Sequence, residues 1–316
     1  MTPVGGGVVA GGHAIGTAGG RRHLELDCLK IIAAFAIVWY HSEYPGWQVA
    51  YSGLVVFLIL STYFFVAPRV GLSLNRGRNG ILLRARRLLV PWVFWFLIYS
   101  AWNWAAGRAL IGFDGGVVAG LLTGPSVHLW FLPFVFLILI FLDQITPLMS
   151  RTVLALSFGL ASFSVIVLAY YWRPISMSFG YPWAQYFHAF APACFGVFLG
   201  CRDALPSTLR RVIFTINIFA CISSDLYDDI GMAYLVGFVA FGIFTRYRDF
   251  FENFARLASF ERYAFGVYLL HPLVFSALRK FGFDLRDVFP GLVFLLVALI
   301  VVALRRALPR FSMAVM

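Results

Sequence analysis

Three sets of polar side chains stand where the sequence around them is apolar. The first set lies on the stretch from Leu24 to His41, LELDCLKIIAAFAIVWYH, which carries Asp27, Lys30 and His41. Lys30 and His41 are eleven residues apart. On a helix of 3.6 residues per turn that spacing puts them within roughly 20° of the same face and roughly 16 Å apart along the axis. A charged side chain at the centre of a membrane-spanning helix costs roughly 2.5–3.5 kcal/mol on insertion scales, so a helix that keeps these residues is expected to line an interior polar site. The same residues also allow a plainer arrangement, in which Asp27 and Lys30 form an i,i+3 ion pair and His41 caps the outer end.

The second set is the basic run RGRNGILLRARRLLVP, from Arg76 to Pro91. Arg84 and Arg87 sit at i,i+3 on a helix entry, where two guanidinium forks can converge on one polyanion such as a phosphate group. Ordinary orientation of a membrane protein by cytoplasmic arginines would satisfy the same run. The third set is His128 in His-Leu-Trp-Phe-Leu-Pro and His271 in Tyr-Leu-Leu-His-Pro. A lone histidine in an apolar run is often a hydrogen-bonded packing residue. The proline after His271 disfavours helix and makes that position an expected break.

The elements that must position these groups follow from composition. Of 316 residues 61% are apolar and 12% charged, with a mean hydropathy of +0.84. A soluble domain is about half apolar and a quarter charged, so a water-soluble enzyme, a disordered chain and a nucleic-acid-binding domain are poor readings. The chain reads as an all-α integral membrane protein. Apolar runs between charged or Pro/Gly-rich breaks predict about ten spans: 24–43, 52–68, 88–106, 128–143, 152–171, 183–201, 212–224, 230–245, 263–278 and 290–304. Residues 1–20 are Gly-rich and uncharged and are expected to form a disordered tail. Residues 21–316 are expected to form a single transmembrane domain.

With the N-terminus inside, the outer side keeps only Arg108, Arg173, Arg279, Lys280 and Arg286, and the other arginines gather on cytoplasmic loops and tails. That bias predicts both termini in the cytoplasm. On the same map Trp39, Trp47, Trp102, Trp104, Trp130, Trp172 and Trp183 lie toward the outside and only Trp92 and Trp95 toward the inside. The asymmetry suits a glycan held on aromatic faces, and lopsided interfacial anchoring suits it almost as well. Cys28, Cys194, Cys201 and Cys221 lack the paired spacing of zinc or redox sites and read as apolar fillers. There is no Walker loop, no Gly-x-Ser-x-Gly elbow, no His-Glu-x-x-His signature and no strong internal repeat.

In four places the order of motifs resembles the integral-membrane acyltransferase family three. These are Leu26-Asp27-Cys28-Leu29-Lys30 followed by an apolar run to His41, Arg84-x-x-Arg87 before Leu-Leu-Val-Pro91, His128-Leu-Trp130-Phe-Leu, and Tyr268-Leu-Leu-His271-Pro272. Lys30 stands where that family more often has arginine. Ala264 and Phe265 stand where it usually has a Ser-Tyr pair. The resemblance implies a membrane O-acyltransferase of the bacterial inner membrane, in a bundle of about ten helices. It would move an acyl group, most often acetyl, from cytoplasmic acyl-CoA to a sugar hydroxyl of an exopolysaccharide or other envelope glycan. It implies His41 and Lys30 as catalytic residues, and Arg84, Arg87 and Lys30 on the acyl-CoA. His128, Trp130, Tyr268 and His271 would lie around the acceptor. The expected partners are a glycan or lipid-linked sugar and membrane lipids, with no metal and no nucleic acid; the sequence carries no signal for an oligomeric state.

His41 could deprotonate the sugar hydroxyl or first accept the acyl group itself. Lys30 could stabilise developing thiolate or carbonyl charge, or only help to bind CoA. A transporter or flippase of a lipid-linked sugar is the main rival, since buried Lys30 and His41 would equally mark a substrate or proton path. A sensory or assembly protein without chemistry is a further one.

Overall fold

The computed structural model describes residues 23–67, 78–110, 116–225 and 230–316. The Gly-rich segment 1–20, with Arg69 and Arg76, lies outside the described residues. Among those described, every regular element is helical. The first helix, α1 (Leu24–Ser42), opens with Glu25 and Asp27 in its first turn and closes with His41 in its last, signs of charge that suit the helix dipole. It stops where Glu43 turns to φ 56°, ahead of Pro45 and Gly46. A single turn, α2 (Trp47–Ala50), leads into α3 (Ser52–Val66).

Helix α3 is gripped from two sides, by α1 and by α9 (Trp183–Cys201). Small residues make both contacts possible. A methyl group on Gly53 would come within 2.5 Å of the Ala33 carbonyl oxygen, and one on Gly196 would collide with the Thr62 hydroxyl and the backbone of Ile59. Close backbone approach through small residues is how apolar helices associate where burial from water supplies little drive. The Thr62 hydroxyl uses that closeness to donate to the Ala193 carbonyl at 2.8 Å.

From Ala191 to Cys201 every residue of α9 is buried, because α7 (Arg151–Val167) covers it as well. Helices α10 (Ser207–Asp225) and α11 (Ile230–Arg246) complete this half of the molecule, with Phe195 and Phe238 stacked at 3.7 Å between centroids. On the far side of α1 lie α13 (Glu261–Lys280) and α14 (Pro290–Ala307). Helices α4 (Arg78–Ala105) and α6 (Phe131–Ile145) pack together, and the last helix, α15 (Pro309–Val315), folds back onto α4 so that the Trp95 indole donates to the Val315 carbonyl at 2.9 Å. All four cysteines are buried.

Each of the ten expected segments falls on a helix. Among the described residues, Trp47–Val66, Val127–Ile145 and Pro290–Ala307 could each cross a bilayer alone by length and apolarity, and two bent pairs raise the number to five. One pair is α7 with α8 (Ala169–Ser178), bent by 75°; the other is α11 with the segment 248–258, bent by 81°. The expected span 152–171 is therefore a helix with a sharp corner after Val167. The break expected at His271 does not occur, and α13 runs unbroken through Pro272. Proline removes one backbone donor there, a loss that helices packed among other helices tolerate.

The crossing of α3 and α9 gives the first prediction. Gly196→Val should destabilise the protein by about 3 kcal/mol, because backbone and a bonded hydroxyl must both move to admit the side chain. Thermal unfolding in detergent checks this against Leu299→Ala, at an exposed position of α14.

Candidate active site

A cavity of ≈ 280 Å³ opens between the C-terminal end of α1, the turn before α6, and helices α8, α9 and α13. Its wall includes Tyr40 and His41 of α1, His128 and Trp130 of the 3-10 turn Val127–Trp130, and Tyr268 of α13. Arg173 of α8 with Gln185 and His188 of α9 add further polar groups to the lining. His41 is partly open to the cavity, His128 reaches its wall at 4% exposure, and His271 lies behind at 0%.

The three histidines form a cluster. The ring of His41 lies 5.1 Å from that of His271, and His271 lies 5.6 Å from His128, between centroids. Their surroundings fix how they are held. Nδ1 of His271 sits 3.2 Å from the Val267 carbonyl, one turn back on its own helix. A carbonyl only accepts, so that nitrogen carries the proton of the neutral ring and Nε2 is left as a bare lone pair. That Nε2 is buried and has no hydrogen-bond partner in the protein. Nδ1 of His128 meets the Ser126 hydroxyl at 2.9 Å, and its Nε2 is likewise buried and unpartnered. Unsatisfied polar atoms at such depth are costly and mark places where a ligand or water completes the bonding.

The scaffold around the cluster is locked by phenol and indole groups. The Tyr268 hydroxyl donates to the His128 carbonyl and so ties α13 to the turn that carries His128. The Tyr99 hydroxyl of α4 donates to the Leu269 carbonyl at 2.7 Å, and its ring lies against His128 at 5.2 Å. The Trp102 indole donates to the Ser276 hydroxyl at 2.9 Å. Tyr268, Tyr99 and Trp102 thus bind α4, α13 and the entry to α6 into one frame.

Five of the residues singled out in the sequence come together here: His41, His128, Trp130 and Tyr268 in the cavity wall, and His271 directly behind it. Lys30 does not join them. Its Nζ lies 3.0 Å from Asp27 Oδ1 and 3.3 Å from Glu261 Oε2, with the ring of Phe64 beneath it at 4.9 Å. The i,i+3 ion pair is therefore formed and is extended to α13. The shared face of Lys30 and His41 is real: both meet α13, one at Glu261 and the other at His271, about 16 Å apart by helix rise. Arg84 bonds Asp143 of α6 at 2.9 Å over the ring of Phe65, and Arg87 one turn on is exposed. Neither arginine lines the cavity.

Tyr40, Arg173, Gln185 and His188 were not singled out from the sequence, although Gln185 and His188 carry the same signal as the others, polar groups at helical spacing within an apolar run. Glu43, two residues beyond His41, turns away and binds Arg286, whose Nε donates at 3.0 Å. Among the described residues no group of three His, Cys, Asp or Glu side chains has the arrangement to hold a metal ion.

A family model described as an acyltransferase domain matches residues 23–305, from the start of α1 to the end of α14. No curated protein and no solved structure matches the chain.

The frame around the cluster gives the second prediction. Tyr268→Phe keeps the ring and strands the His128 carbonyl, so it should lower stability by about 1–3 kcal/mol, read as a lower unfolding temperature. Tyr263→Phe, on the same helix but partly exposed, should leave the unfolding temperature unchanged.

Proposed function

The chain belongs to the acyltransferase 3 family, whose model covers residues 23–305, and from that premise we propose that it is a membrane O-acyltransferase moving an acetyl group from cytoplasmic acetyl-CoA to a sugar hydroxyl of an envelope glycan. The observation that carries the reading is His41 facing a cavity with bare imidazole nitrogens behind it. A cavity walled by Trp47, Trp130 and Tyr181 suits the faces of a sugar ring. In this proposal the chain crosses the inner membrane about ten times, with both termini in the cytoplasm.

The sugar hydroxyl enters the cavity and hydrogen-bonds His41, which takes its proton as the oxygen attacks the thioester carbonyl. The carbon–sulfur bond breaks, the acyl group stays on the sugar oxygen, and the proton passes from His41 to the departing CoA sulfur. The same histidine could instead carry the acyl group between the two substrates. His271, its ring 5.1 Å from that of His41 and its Nε2 unpartnered, supports the imidazolium that forms during transfer in this proposal.

The arginines support a donor site at the other end. Arg84 and Arg87 share a face of α4 by their i,i+3 spacing, with Arg84 already able to hold an anion, its present partner being Asp143. A CoA phosphate would replace that carboxylate. Lys30, clamped between Asp27 and Glu261 about 16 Å along α1 from His41, is better placed for the CoA end of the path than for the hydroxyl end.

Transfer of label from radiolabelled acetyl-CoA into the extractable glycan of membranes containing the protein tests the proposal. His41→Ala should lower transfer by at least about 100-fold, the contribution expected of a positioned base, at unchanged expression. Arg84→Gln should raise the half-saturating acetyl-CoA concentration about 10-fold and affect the maximal rate far less. Label transfer that survives His41→Ala would remove that residue from the chemistry.

A further inference from the structure

Beside the histidine cluster and Arg173, the cavity wall carries two polar side chains of α9. Gln185 and His188 stand three residues apart on α9, on neighbouring positions of one helix face, and both line the cavity that His41 faces. Gln185 Oε1 and His188 Nε2 are buried and have no hydrogen-bond partner in the protein, and His188 as a whole is only 8% exposed. One such orphan costs about 1–3 kcal/mol. Two on one face of an apolar helix are a standing cost that packing does not explain, because α9 is anchored without them: the Tyr234 hydroxyl donates to the His188 backbone carbonyl at 2.6 Å, and the ring of Trp172 lies against the His188 ring at 5.6 Å.

What completes them must be polar enough to bond both atoms and flat enough to lie among Trp47, Trp130 and Tyr181. An amide oxygen only accepts, so the partner of Gln185 is a donor; an imidazole nitrogen serves as either. A ring that carries hydroxyls on its rim and C–H groups on its face meets all of these demands. We propose that Gln185 and His188 are the acceptor subsite, binding two hydroxyls of one sugar ring and so selecting which hydroxyl is presented to His41. This rests on the acyltransferase reading for what happens next, but the binding itself does not depend on it.

The test uses the full chain in lipid nanodiscs, titrated with methyl β-D-glucopyranoside and other methyl hexopyranosides and followed by tryptophan fluorescence, since Trp47 and Trp130 lie in the wall. Acetyl transfer to the tightest-binding glycoside is measured beside it. Gln185→Leu and His188→Leu should each weaken glycoside binding about 10-fold and raise its half-saturating concentration to match, with that of acetyl-CoA unchanged. A deoxy analogue lacking the recognised hydroxyl should bind the wild type as weakly as the parent glycoside binds the variant. Gln185→Asn, which keeps the amide but withdraws it, should weaken binding at an unchanged unfolding temperature and so separates recognition from folding. Unchanged glycoside binding in both leucine variants, or no saturable binding by the wild type, overturns the subsite. Binding that the variants lose, in a wild type that transfers no acetyl group, leaves the subsite standing and overturns the acyltransferase reading.

Discussion

The packing of α1 against α13 is the contact on which the rest of the site depends. At one end Lys30 bridges Asp27 of its own helix to Glu261, the first residue of α13. At the other end His41 meets His271. A cation between two carboxylates has no cheap alternative partner in an apolar bundle, so this clamp sets the register of the two helices. Ten residues further along α13, that register brings His271 level with His41. The His128 turn is then fixed by Tyr268, three residues before His271 on the same helix. Lys30 thus acts on the histidine cluster through geometry, whatever else it contacts during turnover.

The cavity is costly to build in a way that indicates its use. Around it lie unpartnered nitrogens of His128, His271 and His188 and the amide oxygen of Gln185. Hydrophobic replacement of any of them would remove an unsatisfied atom; such atoms also occur elsewhere in the bundle, at Trp92, Ser162 and Asn217 for example, but these four gather around one cavity. Strain of this sort concentrates where binding energy is to be recovered from a ligand. Arg84 is paired with Asp143 and kept off the cavity, whereas Arg173 of α8 stands in the cavity wall beside the polar side chains of α9.

Much of this was legible in the sequence, because polar residues in apolar runs are few. The helical face shared by Lys30 and His41 is borne out in their common contact with α13, and His128, Trp130, Tyr268 and His271 gather where His41 points. Spacing could not say that Glu261, more than two hundred residues away, completes the Lys30 clamp, since that is a tertiary contact. Nor could it exclude a break at His271, because the penalty for Pro272 is local while the packing that overrides it is not. Gln185 and His188 were visible as letters but lay in a run read only for its apolar length. Among the described residues three helices, or five with the bent pairs, are long and apolar enough to span a bilayer, fewer than the ten expected, because one run is divided by the corner after Val167 and helices such as α1 carry charged side chains within the run.

The central claim is that donor and acceptor enter from opposite ends of the bundle and meet at His41. Proteoliposomes in which the protein has a single orientation test it most directly, with acetyl-CoA confined to the side of Arg84 and a membrane-impermeant glycan confined to the side of the cavity. Label passing from acetyl-CoA to the glycan across the sealed bilayer is the result this account predicts. Transfer only when both substrates share one side, in vesicles shown to be sealed, would contradict it.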